Sequence, residues 1–119
     1  MELSYADLED GIRKIDLKGR MDLEGANEID LKFTSLTASQ KHFVIVDLSG
    51  VEFIATLGIA TLVRTAKAAR LRSGNLVLLN PRPNVANVLQ TTRIDKILNV
   101  CWNLEDARAQ VRAVPEAHT

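Results

Sequence analysis

The stretch Val44 to Ala66, VIVDLSGVEFIATLGIATLVRTA, changes hydrophobic period midway and constrains the fold more than any other part of the chain. Phe43, Val44, Ile45 and Val46 form an unbroken apolar run rich in β-branched side chains, the pattern of a strand covered on both faces. Asp47-Leu48-Ser49-Gly50 then reads as a turn. From Leu57 the apolar residues recur at Ile59, Leu62, Val63, Ala66 and Ala69, one face of a helix, with Arg64 and Lys67 outside it. Thr56 stands at the junction, where its hydroxyl is expected to accept from an orphan amide of the first turn as an N-cap.

The flanking segments extend this strand-to-helix unit in both directions. Residues 3 to 20 read as two short strands, Leu3 and Tyr5 in the first and Ile15 and Leu17 alternating with charge in the second, joined at a hairpin signal, Asp10-Gly11. Gly19-Arg20-Met21 is expected to lead out of the second strand. Asp22 is then placed to cap a helix that turns Leu23, Ala26, Ile29, Phe33 and Leu36 to one side. The central helix is expected over about 57–72, stopped by Gly74. Leu76 to Leu79 is a second buried-strand candidate, ended by Asn80-Pro81-Arg82-Pro83, with Pro83 opening a short helix carrying Val85, Val88 and Leu89. Ile97 to Cys101 is a last strand candidate, and Asn103 with Asp106 marks a terminal helix carrying Leu104, Ala107 and Val111. The order β-β-α-β-α-β-α-β-α predicts an α/β fold, a mixed and mostly parallel sheet flanked by helices. All 119 residues fit one domain, with a frayed tail expected from about residue 113.

Composition narrows the function classes. Fifteen Lys plus Arg balance fifteen Asp plus Glu, which predicts no general pull toward nucleic acid or an anionic membrane. Two histidines and one cysteine supply neither a structural zinc set nor an internal disulfide. No apolar leader and no run of membrane-spanning length is present, so a cytoplasmic protein without membrane insertion is expected. The common metal, P-loop and dinucleotide signatures are missing. His42 and His118 read as isolated solvated residues, and Cys101 beside Trp102 as a small buried hydrophobe. Asp16, Asp22 and Asp47 can be grouped on paper as an acidic site, but capping and turn roles account for Asp22 and Asp47. The expectation is a protein that is not an enzyme and carries no cofactor or metal.

The segment VIVDLSGVEFIATLGIATL, preceded by GRMDLEGANEI and followed by GNLVLLNPRPNVANVL, resembles the STAS domains, and among them the single-domain anti-sigma factor antagonists of bacteria. The resemblance runs nearly end to end. In that family the strand is followed by a loop of the type F/V-x-D-S-S/T-G-L whose first Ser or Thr accepts phosphate. The corresponding residues here are Phe53, Ile54, Ala55, Thr56, Leu57, Gly58 and Ile59, which puts Thr56 at the acceptor position. Two positions depart from the pattern: Ala55 replaces the usual acidic residue, and Leu57 replaces a small hydroxyl residue.

The resemblance implies a partner switch. The unmodified domain would bind an anti-sigma factor that is itself a serine/threonine kinase of the histidine-kinase-like ATPase class. Phosphorylation of Thr56 would end the binding, and a partner phosphatase would restore it. Ser49, Ile54, Ala55, Thr56, Leu57 and Gly58 are the implied partner-binding residues, with Ser49 and Thr61 as weaker alternative acceptors. Ile54 and Leu57 make a contact patch if both face solvent and a helix anchor if both turn inward. Arg64, Lys67, Arg70 and Arg72 make the central helix basic toward its C-terminal end, which suits its dipole. The alternatives are a STAS regulatory subunit of an ABC-type lipid-transport ATPase and an unphosphorylated scaffold.

Overall fold

The two continuous apolar runs become neighbouring central strands in the computed structural model, which describes residues 1–113. The elements are β1 (Glu2–Asp7), β2 (Ile12–Met21), α1 (Leu23–Ala38), β3 (Phe43–Ile54), α2 (Thr56–Leu71), β4 (Asn75–Leu79), α3 (Pro83–Thr91), β5 (Val100–Cys101) and α4 (Leu104–Arg112). This is the expected order, with one 3-10 turn, Ile94–Lys96, added. The strands lie in sequence order, β1-β2-β3-β4-β5. The first pair is antiparallel and the other three are parallel.

Alternation along the strands divides the core in two. Val44, Val46, Leu48, Leu76 and Leu78 face Ala26, Ile29 and Phe33 of α1, Ile59, Leu62 and Ala66 of α2, and Val85 and Leu89 of α3. Ile12, Ile45, Val77 and Leu79 point the other way, where Ala107 and Val111 of α4 cover them. Asn75, fully buried, joins the layers: its side-chain amide donates to the Val111 carbonyl at 3.2 Å while its oxygen accepts from Arg70 at 3.1 Å. Both ends of that amide are satisfied, which removes the penalty of burying it.

Local chemistry sets the helix ends. Asp22 accepts from the Gly25 amide at 2.8 Å, Pro83 occupies the first turn of α3, and Asn103 accepts from the Asp106 amide at 2.8 Å, all as the sequence predicts. The hairpin turn at Asp10 is held from outside by Arg108 of α4, whose Nη2 lies 2.7 Å from the Asp10 carboxylate. Arg13 spans three elements, pairing with Asp7 at 2.7 Å, lying over the Tyr5 ring and donating to the Leu36 carbonyl at the end of α1.

Several expectations are corrected. Asp47-Leu48-Ser49-Gly50 is no turn: β3 runs on for twelve residues to Ile54. Asp47 does accept locally, from the Ser49 amide at 2.9 Å, but within an irregular stretch of the β2–β3 register rather than at a chain reversal. Gly19-Arg20-Met21 likewise continues β2, with Gly19 at a φ of +113° beside a second register shift. At the end of α2 it is Ser73, not Gly74, that adopts the left-handed conformation. Gly74 donates to the Ala69 carbonyl and lies so close to the His42 backbone that a Cβ would collide with it. The last strand shortens to Val100–Cys101 because the preceding residues coil through the 3-10 turn to bury Leu98. Leu23 and Leu104 face solvent instead of their helices' buried sides. His42 is half-buried near Arg13 and Asp7, and burial, then the Arg13 charge, lowers its pKa. His118 and the frayed-tail expectation lie outside the described residues.

Phe33, fully buried between α1 and the sheet, supplies the largest test of this packing. Phe33→Ala is expected to cost about 3–5 kcal/mol in urea unfolding, from lost transfer and the cavity left behind. The Gly25 amide holds the Asp22 carboxyl below its ordinary 3.8, and Arg13 and Arg108 do the same for Asp7 and Asp10. Groups lowered on folding add stability above their unfolded values and lose it as pH falls through the folded ones. The thermal midpoint should therefore fall as pH drops from about 5 to 2, with a shallower dependence in Asp22→Asn, in scans at fixed ionic strength.

Candidate functional site

Everything near Thr56 depends on how the end of β3 meets the end of β2. Ile54 points inward at 3 % exposure. Ala55, extended at φ −100° and ψ 172°, donates its amide to the Met21 carbonyl at 2.9 Å and accepts from the Ile59 amide at 3.1 Å. Ala55 is therefore the N-cap, and the expected cap at Thr56 is corrected. Anchoring of Ala55 to Met21 starts the helix one residue early and makes Thr56 its first residue. α2 has no side-chain cap, which leaves the exposed Thr56 hydroxyl outside that role.

Gly58 fixes the depth of this junction. A Cβ there would lie 2.8 Å from Met21 Cγ and 2.9 Å from the Met21 carbonyl oxygen. Those distances are too short for any larger residue to leave the backbone in place. Thr56 thus projects from a first turn pressed against the sheet.

The expected patch splits. Leu57 is 37 % exposed while Ile54 is buried, and Leu57's companion on the surface is Phe53, 38 % exposed. Arg20, the register partner of Phe53, lays its guanidinium over the ring at 4.5 Å, and its Nε lies 3.6 Å from Asp22. An ion pair between Asp30 and Arg64 ties α1 to α2, and Leu23 and Leu57 each lie two turns before it. The exposed Leu23 therefore stands level with Leu57 at the same end of the molecule. Arg82 donates to the Ser49 carbonyl at 2.9 Å and Asn84 to the Glu52 carbonyl at 2.8 Å, binding the start of α3 to the outer half of β3.

The electrostatics of the helix starts differ. α1 has Asp22 and Glu24 at its start, and α4 has Asn103, Glu105 and Asp106. α2, like α3, has neither an acidic residue in its first turn nor a side-chain cap. Its positive dipole end receives no counter-charge from its own first turn, an environment that favours an added anion.

Ala55, Thr56 and Leu57 are thus brought together with Phe53, with Ile54 and Gly58 buried beneath them. Ser49 is not among them. It lies five residues back along β3, beside Asp16, Lys18 and Asp47. Lys14 bridges Asp16 at 2.7 Å and Asp47 at 3.2 Å, while Asp22 caps α1 at another place, so the three acids form no joint site. Burial opposes ionisation of Asp47, but bonds from Ser49 and Lys14 outweigh it and hold its carboxyl low. Thr61 is buried at 4 % exposure on the inner side of α2. Among the described residues no group of His, Cys, Asp and Glu has a metal-ligand arrangement. A cavity of about 590 Å³ lies apart, at the β5 edge between α3 and α4, lined by Gln90, Asn99, Trp102 and Gln110. The contributions of Phe53 and Arg20 escape sequence reading because their pairing depends on a shifted strand register.

Solved structures share this arrangement. An anti-sigma factor antagonist from Mycobacterium paratuberculosis superposes with a TM-score of 0.82 at 21% identity, over 93% of each chain. The Bacillus anti-sigma factor antagonist SpoIIAA is similar in its unphosphorylated form, with a TM-score of 0.75 at 19% identity over 97% of this chain and 100% of that one. Its phosphorylated form gives 0.68 at 19% identity over 93% and 100%. A chain of the Acinetobacter MlaFEDB complex gives 0.62 at 23% identity, covering 73% of this chain and 92% of that one. At these identities the likeness speaks for the fold. The sequence itself matches the family model of the STAS domain over residues 6–107, and the chain belongs to the STAS domain family.

Proposed function

We propose that this chain is an anti-sigma factor antagonist, a non-enzymatic cytoplasmic partner of an anti-sigma factor kinase, switched by reversible phosphorylation of Thr56. The observation that carries this reading is the placement of Thr56. Thr56 is exposed at the first position of a helix without side-chain cap or acidic first turn, near the half-exposed Phe53 and Leu57 in the chain. The likeness to an antagonist known in unphosphorylated and phosphorylated forms supports it.

The chemistry is a phosphoryl transfer. Thr56 Oγ1 attacks the γ-phosphorus of ATP held by the kinase, the bond to ADP breaks, and the hydroxyl proton passes to a base of the kinase. A phosphatase returns the hydroxyl by hydrolysis, releasing inorganic phosphate. The product carries nearly two negative charges beside the free amides of α2, so the fold tolerates it. Binding is what suffers. Phe53 and Leu57 suit an apolar partner surface, and a charge buried there without a partner costs on the order of 2–5 kcal/mol. About 2.8 kcal/mol already corresponds to a hundredfold change in affinity. Ala55, where the family carries an acid, removes one negative charge from the edge of this surface.

The Acinetobacter likeness supports a second reading, a regulatory subunit of an ABC-type lipid-transport ATPase, which would engage the same face without a sigma factor. Affinity capture from the source organism, with mass-spectrometric mapping of phosphate, separates the two readings. A histidine-kinase-like ATPase bound to unmodified protein, with phosphate on Thr56 in the unbound fraction, is expected. A permease and transport ATPase bound irrespective of phosphate would establish the second.

With the captured kinase in hand, Thr56→Ala should bind as unmodified protein does and accept no phosphate, while Thr56→Glu should bind about tenfold to a hundredfold more weakly by calorimetry. Equal affinity of all three would leave an unphosphorylated scaffold. Phe53→Ala should weaken binding at least about tenfold with little change in the unfolding midpoint, because the ring is an exposed contact and not core.

A further inference from the structure

Among the described residues the Arg20 guanidinium has one carboxylate partner, Asp22, in a long ion pair at 3.6 Å. Arg13, Arg64 and Arg108 are each paired with a carboxylate, and Arg82 donates to the Ser49 carbonyl. Arg20 is 60 % exposed along its side chain, rests on the Phe53 ring at 4.5 Å, and stays 3.6 Å from Asp22, beyond hydrogen-bonding distance. The other Asp22 oxygen is already used by the Gly25 amide. Such an arginine is held by a ring face and by one long ion pair.

The backbone ladder also brings it toward the acceptor. Arg20 is paired in register with Phe53, and the following residue, Met21, accepts from Ala55, the residue before Thr56. Arg20 and Thr56 therefore flank the same hydrogen bond between β2 and the start of α2, each one residue, about 3.8 Å of chain, from it.

We propose that Arg20 is the receptor for phosphate on Thr56: the dianion draws its guanidinium off the Phe53 ring and away from Asp22 into a bidentate pair. This deepens, and rests on, the reading of Thr56 as the modified residue. A phosphate of nearly two charges outcompetes a single carboxylate, and its three oxygens match the planar guanidinium fork. The modification then does two things at once. It adds charge at Thr56 and removes the cation from the face of Phe53, so the partner meets both a new anion and a bare ring.

The test uses full-length protein with phosphothreonine encoded at position 56, which requires no kinase. The second ionisation of the phosphate, ordinarily near pH 6, is followed by 31P NMR in the otherwise unchanged protein and in Arg20→Gln, Arg20→Lys and Arg82→Gln. Arg20 should lower that ionisation, so Arg20→Gln should raise it by about half a unit or more, toward the ordinary value. Arg20→Lys should fall between, and Arg82→Gln should change it less than Arg20→Gln does. The Arg20 Hδ resonances, shifted upfield by the Phe53 ring in unmodified protein, should move downfield when the phosphate is present. Identical titration with and without Arg20, or unmoved Hδ resonances, overturns the proposal and leaves Thr56 as acceptor intact. Absence of Thr56 phosphate in cells would instead sink the switch while leaving the pairing measured.

Discussion

The strand order governs the rest of this molecule. Because β2 to β5 are added one after another in a single direction, and crossovers between parallel strands are right-handed, every crossover helix must land on the same face of the sheet. α1, α2 and α3 therefore share one core, and their N-termini gather at one end of the sheet. The end of β2, the end of β3 and the starts of all three helices meet there. The opposite face is left to α4, which among the described residues is the one α-helix that is not a crossover. Thr56, Phe53 and Arg20 come to the same end of the sheet because of this winding.

Much of the fold was legible because its signals are local. The doubly covered strand run, the helical spacing after Leu57, the caps at Asp22 and Asn103 and the first-turn Pro83 each depend on residues within a few positions. The errors fall where a distant partner decides. Asp47 and Ser49 form the bond expected of a turn, but Lys14 and the continuing β2 ladder keep the chain extended through it. Thr56 has the chemistry of an N-cap, yet the Met21 carbonyl captures Ala55 and gives that role to a residue with no polar side chain. Phe53 was visible as a residue of the loop, but nothing in the sequence pairs it with Arg20 across a shifted register.

The junction separates rigidity from exposure. Ile54 and Gly58 lock the backbone through buried contacts, while Ala55 supplies a cap made entirely from main-chain groups. No side chain needed for the fold has to be altered when Thr56, Phe53 or Leu57 meets another molecule. On the proposed reading, a modification here acts on the surface and leaves the platform unchanged, since the helix start is held without the Thr56 hydroxyl.

α4 closes the second core from the far end of the described chain, using Ala107, Val111 and the carbonyl that receives Asn75. During synthesis the three crossover helices and their strands emerge first and can pack while α4 is still inside the ribosome. For that interval Ile45, Val77 and Leu79 form an uncovered apolar stripe across the centre of an otherwise assembled sheet. A chain stalled before residue 104 thus carries one uncovered apolar face, which α4 closes to complete the second core.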